Sequence, residues 1–331
     1  MKPSYISSEE VESVLTWSLV NNGVEAALKA VSSKRKGACN QPARSFTLVE
    51  DNKGVLLNMP AYLGSYDLSE NETNLSTLGC KLVTSFSGNS RLEKPMPSIL
   101  ANILLFDSIT GQLKTILDGT EITSWRTASA SVIATKYLYF HRSGIEINKS
   151  IKLAVFGCGV QGRYHSLAFC STFNVEEIHL WNRSKGKAQI LADELDKFRN
   201  SFVNKNVKII VSEEKVTDAD VIVTATYTKE PIINLDSIKK NVHINAVGAG
   251  ETHHGELSQD LYDIAKVYVD HMAGAEVELK TLKAEIVGEV GEVIINKKYP
   301  SDGITIFQSM GMAAEDAVVA QAVVNALQKL N

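Results

Sequence analysis

The chain has 331 residues, enough for one large or two ordinary domains. With 44% hydrophobic and 22% charged residues its composition is that of a soluble globular protein, and a formal net charge of −4 with no basic stripe argues against a nucleic-acid partner. Four widely separated cysteines (Cys39, Cys80, Cys158, Cys170) without C-x-x-C or metal-ligand spacing predict free thiols in an intracellular, cytoplasmic protein with no metal site.

The first stretch, "MKPSYISSEEVESVL", is acidic and lacks an apolar core, so it is not expected to be a signal peptide. It reads as a helix start, with Ser7 or Ser8 as cap and glutamates in the first turn. Residues 43 to 117 change character. "GVLLNMPAYL", "LGCKLVTSF" and "SILANILLFD" are short β-rich runs between turn signals, which predicts a mostly antiparallel or mixed sheet. "GTEITSWRTASASVIATKYL" follows as an alanine-rich helix that Thr120 or Thr123 is expected to cap. From Asn148 onward the runs "IKLAVFG", "EEIHLWN", "VKIIVS", "ADVIVTAT", "VHINAVG" and "AKVYVD" are apolar, and helical segments separate several of them. That alternation predicts a parallel sheet covered on both faces, hence an α/β fold. The end, "SMGMAAEDAVVAQAVVNALQKL", reads as a long amphipathic helix. No stretch approaches the ~20 apolar residues that a membrane span needs, so no membrane partner is expected.

The most informative segment is "KLAVFGCGVQGRYHSLAF", residues 152 to 169. Gly157, Gly159 and Gly162 fit G-x-G-x-x-G between a strand and a helix start. The first glycine permits the tight turn, the second lets backbone approach a pyrophosphate, and the third lets the helix pack close to the sheet. Val160 and Gln161 would present the free N–H groups of the helix start to that phosphate. At the end of the next strand a carboxylate would read a ribose 2′-hydroxyl. Here stand Asn182, Arg183 and Ser184 instead, with Lys185 and Lys187 behind. Arginine can stack on adenine and pair with a 2′-phosphate, so NADPH is expected rather than NADH. The strand ends at Thr224, Ala225 and Thr226, at Val247 and Gly248, and at Ser309 complete the expected cofactor site, because ligands of open α/β sheets sit beyond the carboxyl ends of the strands.

Taken together, "QPARS", "MPAY", "LGCKLVTSF", "ILLFDSITGQLKTILDG", "ITSWRTASASVIATKYL", "FGCGVQGRYH", "IHLWNRS", "ADVIVTAT", "HINAVGA", "GEVGEV" and "SMGMAAEDAVVA" resemble the ornithine cyclodeaminase/μ-crystallin family, in family order over nearly the whole chain. The nearest branch is the NADPH-dependent ketimine reductases, which also carry "WNR". The resemblance implies a homodimer. Each subunit would have a Rossmann-like doubly wound domain (121–307) and an α+β substrate and dimerisation domain (1–120 plus 308–331). It also implies a substrate site of Arg44, Lys81 and Arg126. Two arginines suit a carboxylate, and a buried lysine can act as an acid near neutral pH. Read without the family, Arg44 and Lys81 are equally well surface charges.

These residues predict an NADPH-dependent reductase of a C=N bond beside a carboxylate. The substrate would be a small amino or imino acid, with Lys81 as the catalytic proton donor. An opine- or alanine-type dehydrogenase would use the same groups. A cyclodeaminase is disfavoured, since Gly250 stands where that branch has an aspartate, with Glu251 next to it. A binding protein that retains a cofactor, as in thyroid-hormone-binding relatives, is the remaining alternative. His253 and His254 are either pocket groups or a surface pair, and no third ligand at sensible spacing makes them a metal site.

Overall fold

A computed structural model describes residues 2–50, 53–142, 144–146, 148–214, 218–248 and 254–330. Gly250, Glu251 and His253 lie outside the described residues. The chain forms two compact units, Met1–Arg126 with Gly311–Asn331, and Thr127–Met310.

In the first unit, β1 (Ser4–Ile6) leads into α1 (Ser8–Val14). Ser7 is the cap: its hydroxyl accepts the Glu10 N–H at 3.3 Å, and the Glu10 carboxylate accepts the Ser7 N–H at 2.9 Å. Next comes α2 (Trp17–Val31), unanticipated from sequence and capped by Thr16, whose hydroxyl accepts the Leu19 N–H. Six strands follow: β2 (Cys39–Asn40), β3 (Ser45–Leu48), β4 (Val55–Tyr66), β5 (Leu75–Ser85), β6 (Ile99–Phe106) and β7 (Leu113–Asp118). The sheet order is β1-β7-β6-β5-β4-β2, with β3 also on β4. All pairs are antiparallel except β1 with β7, so the sheet is mixed. Along β5, Thr77, Gly79, Lys81 and Val83 are buried and the residues between them are partly exposed, the period of a strand with one covered face. The C-terminal helix (Ala313–Leu330) and α2 cover that face. Next in the chain is α3 (Thr120–Thr135). Its expected cap is corrected: Thr120 is already helical, and the Asp118 carboxylate two residues earlier accepts its N–H at 2.9 Å.

The second unit contains β8 (Ile151–Phe156), α4 (Val160–Thr172), β9 (Val175–Trp181), α5 (Lys185–Lys197), β10 (Lys208–Val211), β11 (Val221–Thr224), β12 (His243–Ala246), α6 (Gln259–Ile264), β13 (Lys266–Val269), α7 (Met272–Glu278), β14 (Ile286–Glu289), α8 (Val290–Asn296) and β15 (Thr305–Gln308). Its sheet runs β10-β9-β8-β11-β12-β15-β13-β14, every pair parallel. The six strands expected from apolar runs are β8 to β13. The order steps outward from β8 in both directions, which is the doubly wound arrangement. Among the described residues no helix is long and apolar enough to cross a membrane.

Candidate active site

Register brings the cofactor candidates together. Phe156 pairs with Trp181 and Thr224, Thr224 with Ala246, and Ala246 with Gln308, so five strands end on one line. Gly157–Gly162, Asn182–Ser184, Ala225–Thr226, Val247–Gly248 and Ser309 each follow directly from one of those ends. Gly157 has φ 102°, which an L side chain rarely adopts, and a Cβ on Gly162 would collide with the Gly157 carbonyl. Gly159 opens α4 without a side-chain cap, and nothing lies within 4 Å of where its Cβ would be. The helix start is thus open at Gly159, as the close approach of a pyrophosphate requires. Two candidates carry a buried polar atom with no hydrogen-bond partner among the described residues: Gln161 Oε1, and Ser309 Oγ at the end of β15. Buried polar atoms are normally satisfied, so both fit a ligand that supplies the partner. These features fit a nicotinamide dinucleotide.

Asn182 acts as a bracket. Its Oδ1 accepts the Cys158 N–H at 3.0 Å and its Nδ2 donates to the Ser184 carbonyl at 3.0 Å, tying the glycine turn to the start of α5. Arg183 and Ser184 beside it are exposed. The side chains of Thr224 and Thr226 are engaged by a residue the sequence did not single out, Glu256. Its Oε2 accepts from Thr224 Oγ1 at 2.6 Å and the Gly248 N–H at 2.9 Å. Its Oε1 accepts from Thr226 Oγ1 at 2.6 Å and the Thr226 N–H at 2.7 Å. Burial pushes the Glu256 carboxyl above the ordinary range, against these four hydrogen bonds. Glu256 thus fixes the ends of β11 and β12 as a rigid frame. His254 is engaged by the Thr281 hydroxyl at 3.0 Å and lies edge-on to Tyr262.

The three substrate candidates gather in the first unit, around the start of the C-terminal helix. Lys81 is on the covered face of β5, only 2% exposed, with Nζ 2.6 Å from Asp316 Oδ2. Arg126, on α3, donates from Nε to Asp316 Oδ1 at 3.0 Å and from Nη1 to Glu315 Oε2 at 3.2 Å. Arg44 donates to the Gly311 carbonyl at 2.9 Å, and Gln41 accepts the Ala314 N–H at 2.7 Å, which pins the 40s loop to the helix start. Burial lowers the Lys81 pKa to about 8; Asp316 opposes that shift, while Arg126 and Arg44 add to it. An ammonium with that pKa is a proton donor matched to neutral solution. Lys81 and Arg126 meet the two carboxylates and Arg44 bonds the Gly311 carbonyl just before them, so these five groups sum to a single positive charge. One anionic carboxylate balances it.

Asp316 and Glu315 were read from sequence only as helix. The available signal was two adjacent carboxylates in the otherwise apolar run "MAAEDAVVAQAVV", since a buried carboxylate needs a cationic partner. Among the described residues no cluster of histidine, cysteine and carboxylate side chains could hold a metal ion.

Comparison with known proteins places this geometry. Residues 1–331 match the profile of the ornithine cyclodeaminase/mu-crystallin family. The ketimine reductase mu-crystallin of Rattus norvegicus is 37% identical over 328 residues, covering 97% of this chain and 96% of the relative. Among solved structures, the Thermococcus litoralis Δ1-pyrroline-2-carboxylate reductase in complex with NADH and L-proline superposes with TM-score 0.82 at 27% identity, covering 99% of this chain and 98% of its own. An archaeal alanine dehydrogenase dimer with bound NAD gives 0.83 at 26% identity, covering 100% and 98%.

Proposed function

The chain belongs to the ornithine cyclodeaminase/mu-crystallin family, and from that premise we propose that it is an NADPH-dependent reductase of C=N bonds adjacent to a carboxylate, with cyclic ketimines of the Δ1-pyrroline- or Δ1-piperideine-2-carboxylate type as its substrate class. The observation that carries this reading is the group of buried Lys81 and Arg126 with partly buried Arg44 at the start of the C-terminal helix, in which burial lowers the Lys81 pKa to about 8. Arg44 and Arg126 take the substrate carboxylate in their planar forks. Lys81 holds a proton at Nζ for the imine nitrogen, and Asp316, bonded on its other oxygen by Arg126, keeps that ammonium in place. The nicotinamide, when bound, supplies the hydride to the imine carbon. The glycine turn and the frame built on Glu256 hold the dinucleotide. The alanine dehydrogenase similarity supports a second reading, reductive amination of a 2-oxo acid by the same groups. One panel separates the two: cyclic imino acids, and 2-oxo acid and amine pairs, each followed by NADPH absorbance. Turnover of the cyclic imines is expected. Turnover confined to oxo acid with ammonia would replace the first reading by the second.

Cofactor choice follows from the end of β9. The solved neighbours hold NADH or NAD, but this chain has Asn182-Arg183-Ser184 there and no carboxylate. NADPH should bind at least tenfold more tightly than NADH, about 1.4 kcal/mol, which is modest for charge-assisted pairing to a phosphate. Arg183→Ala should lose most of that gap. Equal wild-type affinity for both cofactors in a fluorescence titration would sink the assignment.

The face of the first sheet opposite the C-terminal helix supports a homodimer. Pro60, Tyr62, Leu78, Leu82, Leu104 and Phe106 lie on it partly exposed. So large an apolar surface needs cover, and the neighbouring alanine dehydrogenase is a dimer. We expect a two-fold dimer through residues 1–120, which Leu104→Glu converts to monomer. A monomeric wild type by light scattering at micromolar concentration would rule it out.

A further inference from the structure

Between the first turns of α4 and α5 lies a cavity of about 320 Å³. Gly159, Val160 and Arg163 line it from the turn and α4, and Lys187, Ile190 and Glu194 from α5. The last three recur at helical spacing, so one face of α5 points into it. Asn182, bonded to both Cys158 and the Ser184 carbonyl, holds the first turn of α5 against the glycine turn. The charges are not balanced. Arg163 is neutralised by Glu194, its Nε 2.7 Å from Oε1. Lys185 is turned away into an ion pair with Glu213. Lys187 is left, and among the described residues no carboxylate pairs with it. The cavity therefore carries one positive charge beside Gly159, on the first turn of α5 that follows Arg183 and Ser184 in the chain.

We propose that Lys187 determines cofactor choice together with Arg183, by pairing with the 2′-phosphate of NADPH in this cavity. The assignment rests on the NADPH reading above. A phosphate monoester carries close to two negative charges at neutral pH, and Arg183 alone compensates one. Lys187 supplies the second from the first turn of α5, whose start Asn182 braces against the glycine turn. Lysine serves as a compact point charge, which suits a phosphate approached end-on from a helix.

The test is a set of binding titrations on the whole protein, with no turnover involved. Wild type, Lys187→Ala, Lys187→Arg and Arg183→Ala are titrated with NADPH and NADH by fluorescence, and with adenosine 2′,5′-bisphosphate and adenosine 5′-monophosphate by calorimetry. Lys187→Ala should weaken NADPH and the bisphosphate about tenfold, the scale of one hydrogen bond to a charged group. It should leave NADH and the monophosphate unchanged, and Lys187→Arg should restore the loss. Wild-type NADPH affinity in Lys187→Ala, with the preference lost only in Arg183→Ala, would overturn the role of Lys187 while leaving the cofactor reading intact. Equal weakening of NADPH and NADH would overturn it too, as a general effect on the loop. A wild type without preference would remove the cofactor reading itself.

Discussion

Lys81→Met is expected to lower kcat by roughly 10²–10⁴-fold, the range for loss of a general acid, with a smaller change in KM and unchanged NADPH affinity. Methionine fits the position. Lys81 is 2% exposed on the covered face of β5, where an unbranched side chain of similar length fills the same space. Asp316 keeps a partner, because Arg126 Nε stays 3.0 Å from its other oxygen. The five-group cluster then has two charges of each sign, so what is lost is the proton donor and the positive excess. The pH profile gives an independent reading. With burial setting the Lys81 pKa to about 8, imine reduction needs the acid form and falls as pH rises through that value. The reverse reaction, amine oxidation, needs the neutral amine and rises over the same interval. Asp316 holds the proton on Lys81, so Asp316→Asn should move both breaks to lower pH. A Lys81→Met enzyme that turns over at near wild-type rate, with the same profile, would assign the proton to another group.

The parts of this molecule that were legible in the sequence are those whose causes are local. The run from Lys152 to Phe169 specifies strand, turn and helix within itself, because a Gly157 at positive φ and a Gly162 packed under its carbonyl are needed by the turn alone. The capping box at Ser7 and Glu10 is equally local. What was missed depends on distant partners. The helix α2 carries Asn21, Asn22 and Gly23 in its interior, poor helix formers, and is sustained by packing on the C-terminal helix. The strand β15 is four residues long and entirely buried between β12 and β13, so it shows neither alternation nor length. Glu256 and Asp316 sit in unremarkable local sequence. Their roles come from Thr224 and Thr226, 32 and 30 residues earlier, and from Arg126, 190 residues earlier. Arg44 and Lys81 stood out only by resemblance to a family; nothing near them in sequence shows that one is pinned to Gly311 and the other to Asp316.

The two arginines, both expected to hold the substrate carboxylate, should separate on mutation. Each is assigned to the substrate carboxylate, and truncating one partner of a desolvated charge pair costs about 2–5 kcal/mol. Arg44→Ala should show that loss in kcat/KM, chiefly through KM. Arg44 is only partly buried, where Arg126 is buried, so the thermal midpoint should move less than for Arg126. Arg126 also holds up the site. It is 6% exposed and bonds both Glu315 and Asp316, themselves 0% and 1% exposed. Without it, both buried carboxylates lose an ion-pair partner, and breaking a buried pair in this way costs about 3–5 kcal/mol of stability. Arg126→Ala should therefore lose kcat/KM and also melt at lower temperature. Restoring the charge balance with Arg126→Ala combined with Glu315→Gln should recover part of the melting temperature and none of the kcat/KM. Recovery of both would mean that Arg126 only supports the fold. An Arg44→Ala enzyme with wild-type KM would take Arg44 out of the carboxylate site.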